Sequence, residues 1–367
     1  MKIVQICGYY PPHLGGIEHC VKNMTVELVA RGHEVTVLTS DIGNPKAGMV
    51  EGAHGRLQER YLRAVEFAHT PFIPSLPLAL FKIPRDHVQH IHLSHVYSEV
   101  CTFFVAKLRR LPYVAHFHMD VDVSGRFGFL FKIYKKTLLG PVIRRASTVI
   151  ALSDEQRQLV IDRYHAKPEH VVVIPNGVAS PFFSGRTRTF SQPIKLLYVG
   201  RFALQKNLPR LINAMPLLTV PVELHLVGDG EKRPEVEVLT KDLELKNVTL
   251  HGKLGGQELV DAYHSGDVFV IPSDREGMPL ALVEASAAGL PIVASDVQGL
   301  REFVGANGVL VHNPSPETFA QTLNELLRDP SKLQHMSAAS REWAEQYAWS
   351  ELIKRIETVY KQVGDRR

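Results

Sequence analysis

Two glutamates in the second half of the chain stand eight positions apart. Glu276 lies in a loop directly after an apolar run, and Glu284 lies inside a short helix that we predict for about 279–288. Pro279 suits the first helical position, and Gly289 suits the position after the last turn. The start of such a helix carries free backbone N–H groups and the positive end of the helix dipole, which together favour a phosphate. The two carboxylates can therefore address different parts of one phosphorylated ligand.

Two basic residues follow the first predicted strand of the same half, 194–200. Arg201 comes directly after this strand, and Lys206 opens the next helix. Taken alone, such residues are commonly solvated surface charges. Beside the two glutamates they favour a diphosphate site, because ligands of parallel sheets bind beyond the carboxyl ends of the strands. Each charge-assisted hydrogen bond contributes about 1.5–3 kcal/mol.

The first half of the chain offers a glycine-rich loop and a histidine. Gly15 and Gly16 precede a helix predicted for 17–31. They form either a simple tight turn or a loop that a phosphate can approach closely. His118 follows an apolar strand at 113–117, at the end where ligands gather. A buried core histidine is the alternative interpretation, and the position favours a functional one.

Alternating strand and helix patterns predict the scaffold that positions these residues. Strands are predicted at 2–7, 34–39, 88–92, 113–117, 148–152 and 171–174, and then at 194–200, 222–228, 248–252, 268–272, 291–294 and 308–311. We expect an α/β protein with two doubly wound, Rossmann-like domains facing each other across a cleft. The predicted division is a domain at 1–182, a linker at 183–193, a domain at 194–349, and a C-terminal helix at about 350–367 that crosses back onto the first domain.

Taken together, these residues resemble the retaining glycosyltransferases of family 4, which have the two-domain GT-B fold. The resemblance covers almost the whole chain and rests on Gly15-Gly16, His118, Arg201, Lys206, Val227-Gly228-Asp229-Gly230, Glu276 and Glu284. It implies metal-independent transfer of a sugar from a UDP- or GDP-sugar. The implied acceptor is a glycan or a lipid-linked sugar in the synthesis of cell-envelope polysaccharide or glycolipid.

The resemblance also implies a role for each residue. Glu276 and His118 would be catalytic, with His118 near the acceptor. The donor diphosphate would be bound by Gly16, Arg201 and Lys206, and also by the start of the helix at Leu280 and Ala281. The donor sugar would be bound by Glu276, Gly277, Met278 and Pro279. The ribose would be bound by Glu284, and the base by the loop residues Lys253 and Leu254. The resemblance also implies that the anomeric configuration of the transferred sugar is retained. We favour front-face attack, in which the leaving phosphate accepts the acceptor's proton.

Two features suggest a metal, and we favour neither. Asp120 and Asp122 spell an Asp-x-Asp string, yet they lie far in sequence from the predicted phosphate site. The histidines at 87, 90, 92 and 95 lack a nearby acid or cysteine that would complete a site. We therefore expect no metal cofactor.

A basic and aromatic segment spans residues 107–145. Its basic residues are Lys107, Arg109, Arg110, Arg126, Lys132, Lys135, Lys136, Arg144 and Arg145, and its aromatic residues include Phe127, Phe129, Phe131 and Tyr134. Such a face can contact an anionic membrane peripherally. An ordinary helix with a solvated basic face explains it equally well.

Composition narrows the remaining choices. A net charge of +4 over 367 residues gives no reason to expect a nucleic-acid partner. Three scattered cysteines and the lack of a long apolar run lead us to expect a cytoplasmic protein that is neither exported nor membrane-spanning. Two alternatives to transfer are a GT-B sugar-nucleotide epimerase and a non-catalytic nucleotide-sugar-binding subunit. The Glu276–Pro279 string together with Glu284 argues against the epimerase. The presence of all the candidate residues argues against the non-catalytic subunit, which would not need them.

Overall fold

The computed structural model describes residues 1–13, 15–44, 48–51, 55–67, 70–118, 134–183, 187–276 and 278–365. The chain divides into two compact units. Unit 1 comprises Met1–Gly177 and Trp349–Arg367, and unit 2 comprises Val178–Ala348. Each unit is built around its own mainly parallel sheet, which confirms the predicted α/β class.

The described residues of unit 1 form ten strands: β1 (Lys2–Ile6), β2 (Glu34–Ser40), β3 (Met49–Glu51), β4 (Leu57–Leu62), β5 (Val65–Phe67), β6 (Thr70–Phe72), β7 (His87–Leu93), β8 (Tyr113–Phe117), β9 (Thr148–Ala151) and β10 (Val171–Val173). Eight of them form one sheet in the order β10-β9-β8-β7-β1-β2-β4-β3. All neighbours in this sheet are parallel except β3 and β4, and β5 pairs with β6 as a separate antiparallel hairpin.

The helices that cover this sheet before the chain enters unit 2 are α1 (Gly16–Ala30), α2 (Leu76–Lys82), α3 (Val96–Arg109), α4 (Gly140–Arg145) and α5 (Asp154–Tyr164). A π-helical turn, Lys135–Leu139, leads directly into α4. The basic segment is therefore helical from residue 134 to residue 145, and its residues 119–133 lie outside the described part of the chain.

Unit 2 contains a six-stranded, wholly parallel sheet in the order β13-β12-β11-β14-β15-β16. Its strands are β11 (Ile194–Val199), β12 (Val222–Val227), β13 (Val248–Gly252), β14 (Val268–Ile271), β15 (Ile292–Ser295) and β16 (Gly308–Val311). Its helices are α6 (Leu208–Ala214), α7 (Arg233–Asp242), α8 (Gly256–Ser265), α9 (Leu280–Ala287), α10 (Pro316–Leu327) and α11 (Pro330–Glu345).

The last helix, α12 (Trp349–Asp365), returns to unit 1 as predicted. Its apolar side packs beside α1, and Trp349, Ile353, Ile356 and Tyr360 are buried in the core of that unit. The indole ring of Trp349 lies so close to Gly177 that a Cβ there would come within 2.5 Å of it. None of the described helices has the length and apolarity needed to cross a bilayer.

The strands predicted from apolar runs are present, but the pattern did not predict β3–β6. β4 carries the sequence Leu-Gln-Glu-Arg-Tyr-Leu, and only Tyr61 is buried. This strand lies next to the end of the sheet, where little apolar surface needs covering, so the alternation that marks a strand is weak.

The segment before β11 is bound to unit 2 by side-chain and backbone hydrogen bonds. Arg188 is half-buried, and its guanidinium group donates to the carbonyl groups of Tyr263, Gly266 and Ala288 within unit 2. Val178 donates its N–H to the carbonyl oxygen of Tyr347 at 2.7 Å. Unit 2 therefore begins at Val178, before the first strand of its sheet.

Candidate active site

Unit 2 brings Lys206 and Glu276 into direct contact, although they are 70 positions apart in sequence. The Lys206 Nζ atom lies 2.6 and 2.7 Å from the two carboxylate oxygens of Glu276. The Ser273 hydroxyl donates to the same carboxylate at 2.7 Å. The Glu276 side chain is 8% exposed and that of Lys206 is 21% exposed. A carboxylate this sheltered from water needs such partners, and the pair leaves one ammonium N–H for a ligand.

Backbone and side-chain bonds hold these residues at the carboxyl edge of the sheet. Asp274, in the loop after β14, donates its N–H to the carbonyl oxygen of Gln205 at 2.8 Å. Arg210 donates to the Asp274 carboxylate at 2.7 Å and to the carbonyl oxygen of Pro272 at 2.6 Å. The loop after β14 is therefore tied to the turn after β11, which fixes the distance between Lys206 and Glu276.

Arg201 lies at the same edge but makes no contact with this pair. Its guanidinium group is bound to Glu231 at 3.0 Å, and its side chain is 73% exposed. An exposed ion pair of this kind contributes at most about 1 kcal/mol, so Arg201 can exchange Glu231 for another anion at small cost.

Two glycines allow the loops after β11 and β12 to touch. Gly228 has φ +135°, and a Cβ at this position would come within 1.9 Å of the Gly200 carbonyl oxygen. A Cβ on Gly230 would lie 2.4 Å from the carbonyl oxygen of Phe202. Only glycine fits this approach, which explains the Val227–Gly230 string in structural terms.

Helix α9 presents Glu284 and begins one residue later than predicted, because Pro279 is its N-cap rather than its first residue. The Tyr263 hydroxyl donates to Glu284 at 2.8 Å. Burial raises the pKa of Glu284 to about 7, and the hydrogen bond from Tyr263 opposes the rise. The Leu280 N–H donates to the carbonyl oxygen of Met278 at 3.0 Å, so this expected phosphate donor is already engaged here.

Other predicted residues of unit 2 occupy the same edge. Lys253 is exposed and Leu254 is half-buried in the loop after β13. Ala281 is half-buried in the first turn of α9. Gly277 lies outside the described residues, as do Asp120, Asp122 and the part of the basic segment from 119 to 133.

In unit 1, the glycine loop meets a buried acid at the start of α1. Gly15 is the N-cap of α1, and a Cβ on it would lie 2.2 Å from Glu18 Oε2. Glu18 is 7% exposed and lies 2.9 Å from His13 Nδ1. A carboxylate in the first turn is stabilised by the helix dipole. By contrast, a Cβ on Gly16 would meet no atom within 4 Å.

His118 belongs to a set of four buried imidazoles, which we call the histidine quartet: His90, His92, His116 and His118. Their rings are stacked along the carboxyl-terminal parts of β7 and β8, with centroids 4.5 Å apart for His90 and His92 and 4.2 Å apart for His116 and His118. Burial, the largest cause for each ring, lowers the pKa of all four histidines, and it lowers that of His118 to about 3. The quartet is therefore neutral at pH 7.

The stacking of the quartet disfavours a metal centre, although the ligand atoms of His90, His92 and His116 all lie within 4.8 Å of one another. A ring nitrogen binds a metal through a lone pair in the plane of its ring. The rings of His90 and His116 are stacked with their planes only 12° apart. Stacked rings lie in separate, nearly parallel planes, so one ion cannot lie in the planes of both rings.

We did not predict Ser273, Tyr263 or Gln5 from the sequence, and we considered His92 only as a metal ligand. Ser273 holds Glu276, Tyr263 holds Glu284, and both Gln5 and His92 belong to the hydrogen-bonded surroundings of His118. The alternating histidines of β7 were a usable signal, since His90 and His92 share one face of that strand. The contacts of Ser273 and Tyr263 have no comparable signature in the sequence.

Comparisons with known proteins agree with this architecture. Residues 14–180 match the family model "Glycosyltransferase Family 4", and residues 181–343 match "Glycosyl transferases group 1". An uncharacterized glycosyltransferase of Methanocaldococcus jannaschii is 29% identical, with 98% of both chains covered. A D-inositol 3-phosphate glycosyltransferase of Xylanimonas cellulosilytica is also 29% identical, over 92% of this chain and 98% of that one. The crystal structure of Anabaena HepE in complex with UDP-glucose has a TM-score of 0.75 at 19% identity, covering 98% of this chain and 99% of that one.

The two units and these matches define a glycosyltransferase with the GT-B fold. Within that class, the chain belongs to glycosyltransferase family 4. It is therefore a transferase, and the epimerase and the non-catalytic subunit are set aside.

The histidine quartet predicts a loss of stability in acid. An unfolded histidine has a pKa of about 6.5. Because the folded pKa values are lower, the unfolded chain binds more protons below that pH. The stability of unit 1 should thus be constant above pH 6.5 and fall as the pH is lowered, by up to about 2 kcal/mol per histidine at pH 5.

Urea unfolding at pH 7.5 and 5.0 measures this effect. Trp343 and Trp349 are the only tryptophans, so in a Trp343→Phe background fluorescence reports Trp349, in unit 1. His116→Phe in that background should show a smaller loss between the two pH values. An equal loss with and without His116 would contradict the assignment.

Proposed function

We propose that the chain transfers a sugar, with retention, from a UDP- or GDP-sugar to a hydroxyl group of a glycan or lipid-linked acceptor. The observation that carries this proposal is the cluster of Lys206, Glu276 and Ser273 at the carboxyl edge of unit 2, with Glu284 nearby in sequence on α9. Membership of family 4 supports sugar transfer, and the UDP-glucose bound to Anabaena HepE supports a nucleotide-sugar donor.

The charges of unit 2 suit this reaction. The Lys206 ammonium group can hold Glu276 with two N–H bonds and reach a phosphate oxygen with the third. Arg201 can leave its exposed partner Glu231 for the diphosphate. Both cations would then stabilise the negative charge that grows on the leaving diphosphate. In front-face attack, a phosphate oxygen of that leaving group accepts the acceptor's proton.

The two glutamates would contact two different parts of the donor, the sugar and the ribose. Glu276 would contact sugar hydroxyls close to the carbon that gains positive charge, while Glu284 would hold the ribose, which hardly changes during transfer. The backbone of Gly16, at the start of α1, would add a phosphate contact in unit 1, and His118 would lie near the acceptor. Gly277, Met278, Pro279, Leu280, Ala281, Lys253 and Leu254 keep the donor-contact roles expected from the family.

Glu276→Gln should lower kcat about ten- to hundredfold with little change in donor affinity, because a charged contact is lost mainly in the transition state. Glu284→Gln should mainly raise the donor KM. The free nucleoside diphosphate serves as an internal control, since it lacks the sugar: calorimetry should show weaker binding to Glu284→Gln and unchanged binding to Glu276→Gln. Equal losses of diphosphate affinity in both variants would disprove the division of roles.

We further propose that transfer needs no metal, because Lys206 and Arg201 supply the positive charge that a divalent ion supplies elsewhere. Wild-type activity should persist in EDTA. The measurement is the release of nucleoside diphosphate from UDP-glucose or GDP-mannose, before and after chelation. Loss of activity that magnesium or manganese restores would overturn the proposal and direct attention to Asp120 and Asp122.

Exposed residues of unit 1 support a peripheral contact with an anionic membrane on the cytoplasmic side. Seven of the twelve exposed large apolar side chains in the described residues lie between 65 and 108, and Phe67 is 80% and Leu108 75% exposed. Lys107 and Arg110 are exposed at the end of α3, beside Phe104 and Leu108. Apolar side chains beside cations fit the boundary between lipid headgroups and acyl chains. The free cysteines Cys7, Cys20 and Cys101 agree with the cytoplasmic placement that we propose.

Lys107→Glu with Arg110→Asn should reduce binding to vesicles that contain an anionic phospholipid by about tenfold or more, since each cation near such a surface contributes about 1 kcal/mol. Asparagine suits residue 110, which has φ 54°. Lys241→Glu with Lys246→Gln is the matched control, with the same change of charge on exposed positions of unit 2. Vesicle sedimentation at physiological salt measures binding. Identical vesicle binding by both double variants and the wild type would contradict the membrane contact and would mean that residues 107–145 form an ordinary solvated basic face.

A further inference from the structure

A chain of hydrogen bonds leads from β1 to His118. Gln5 Oε1 lies 2.7 Å from His92 Nε2, and His92 Nδ1 lies 2.8 Å from His118 Nε2. Gln5 and His92 are fully buried and His118 is 6% exposed, so water does not compete for these bonds. We call this chain the Gln5–His92–His118 relay.

The surroundings of Gln5 set the direction of the relay. The Gln5 amide nitrogen lies 3.4 Å from the sulfur of Met24 and 3.1 Å from the Tyr360 hydroxyl. A thioether sulfur has no hydrogen to donate, so the amide NH₂ group is its better partner, and the amide oxygen then faces His92. An oxygen in that place only accepts, which makes His92 Nε2 the donor.

The remaining protons follow from this direction. A neutral imidazole carries one N–H, so His92 Nδ1 is bare and accepts. His118 Nε2 must then donate to it, which leaves His118 Nδ1 without a proton. This nitrogen is buried and has no hydrogen-bond partner among the described residues. A bare ring nitrogen can accept a hydrogen bond from a hydroxyl group, and it cannot donate one to a phosphate.

We propose that Gln5 and His92 are positioning residues that hold His118 as the Nε2-protonated tautomer, so that its Nδ1 accepts a hydrogen bond from a substrate hydroxyl. The proposal rests on the role of His118 in transfer proposed above. It narrows that role, because it assigns His118 to a hydroxyl of the sugar or the acceptor and not to the diphosphate. Gln156 supports the placement by donating from Nε2 to the His118 carbonyl oxygen at 3.2 Å.

The histidine quartet provides matched variants. His92 and His116 both stack on His118, with centroids 5.1 and 4.2 Å away, and both are fully buried. His92 is hydrogen-bonded to His118, whereas the nitrogens of His116 have no partner among the described residues. His92→Phe therefore removes the relay and His116→Phe removes only a neighbouring ring. His92→Gln keeps an acceptor for His118 and a donor for Gln5.

The test is ¹⁵N NMR of the full chain with labelled histidine, which distinguishes a bare ring nitrogen from a protonated one. Wild type, His116→Phe and His92→Gln should show His118 with a bare Nδ1 and a protonated Nε2, assigned by the signals lost in His118→Ala. His92→Phe should lose this state. A protonated Nδ1 in the wild type, or an unchanged tautomer in His92→Phe, would overturn the relay.

Kinetics separate the relay from the proposed function. With UDP-glucose or GDP-mannose, whichever the wild type hydrolyses, His92→Phe should lower kcat about tenfold, with donor KM unchanged, and His92→Gln should restore most of the loss. His116→Phe serves as the packing control. The result to exclude is a changed His118 tautomer in His92→Phe together with wild-type kcat values for both His92→Phe and His118→Ala. That result would disprove the role of the relay in transfer, although the hydrogen-bond chain itself would stand.

Discussion

Parallel pairing of strands is the constraint on which the candidate site depends. Every strand of such a sheet ends at the same edge, and the loops that follow inherit that position. In unit 2 this brings together the turns after β11 and β14, and with them Lys206 and Glu276. In unit 1 the same rule places the glycine loop after β1 and His118 after β8 at one edge of a single sheet. The chemistry thus comes from loops, while the sheets fix where the loops begin.

Electrostatics then decides how the two acids of the candidate site are held. A sheltered carboxylate needs compensation, and Glu276 obtains it from Lys206 and Ser273. Glu284 is instead held by a neutral hydroxyl, that of Tyr263, and burial raises its pKa to about 7. The two acids of the E-x7-E pattern consequently have different electrostatic surroundings, which agrees with the different roles proposed for them.

The fold was largely predictable from the sequence, because buried parallel strands appear as apolar runs separated by helical periodicity. Strands with little buried surface, such as β4, lack that pattern and were missed. Residue types and spacing also predicted Glu276, Glu284, Lys206 and His118 as candidates. What the sequence could not show is partner choice: Tyr263 is 21 positions from Glu284, and Gln5 is 87 positions from His92. Such contacts depend on strand order and register, which one sequence does not reveal.

The central claim is that Lys206 joins a bound diphosphate to Glu276. Titration calorimetry of UDP and GDP against Lys206→Met tests it most directly, since methionine keeps much of the side chain's length without its charge. Lys246→Met, at an exposed position of unit 2, is the control. Our account predicts that the nucleotide bound by the wild type binds Lys206→Met about tenfold or more weakly, as expected for one charge-assisted contact, and binds the control normally. Equal affinity for the wild type and Lys206→Met, with both proteins folded, would contradict it.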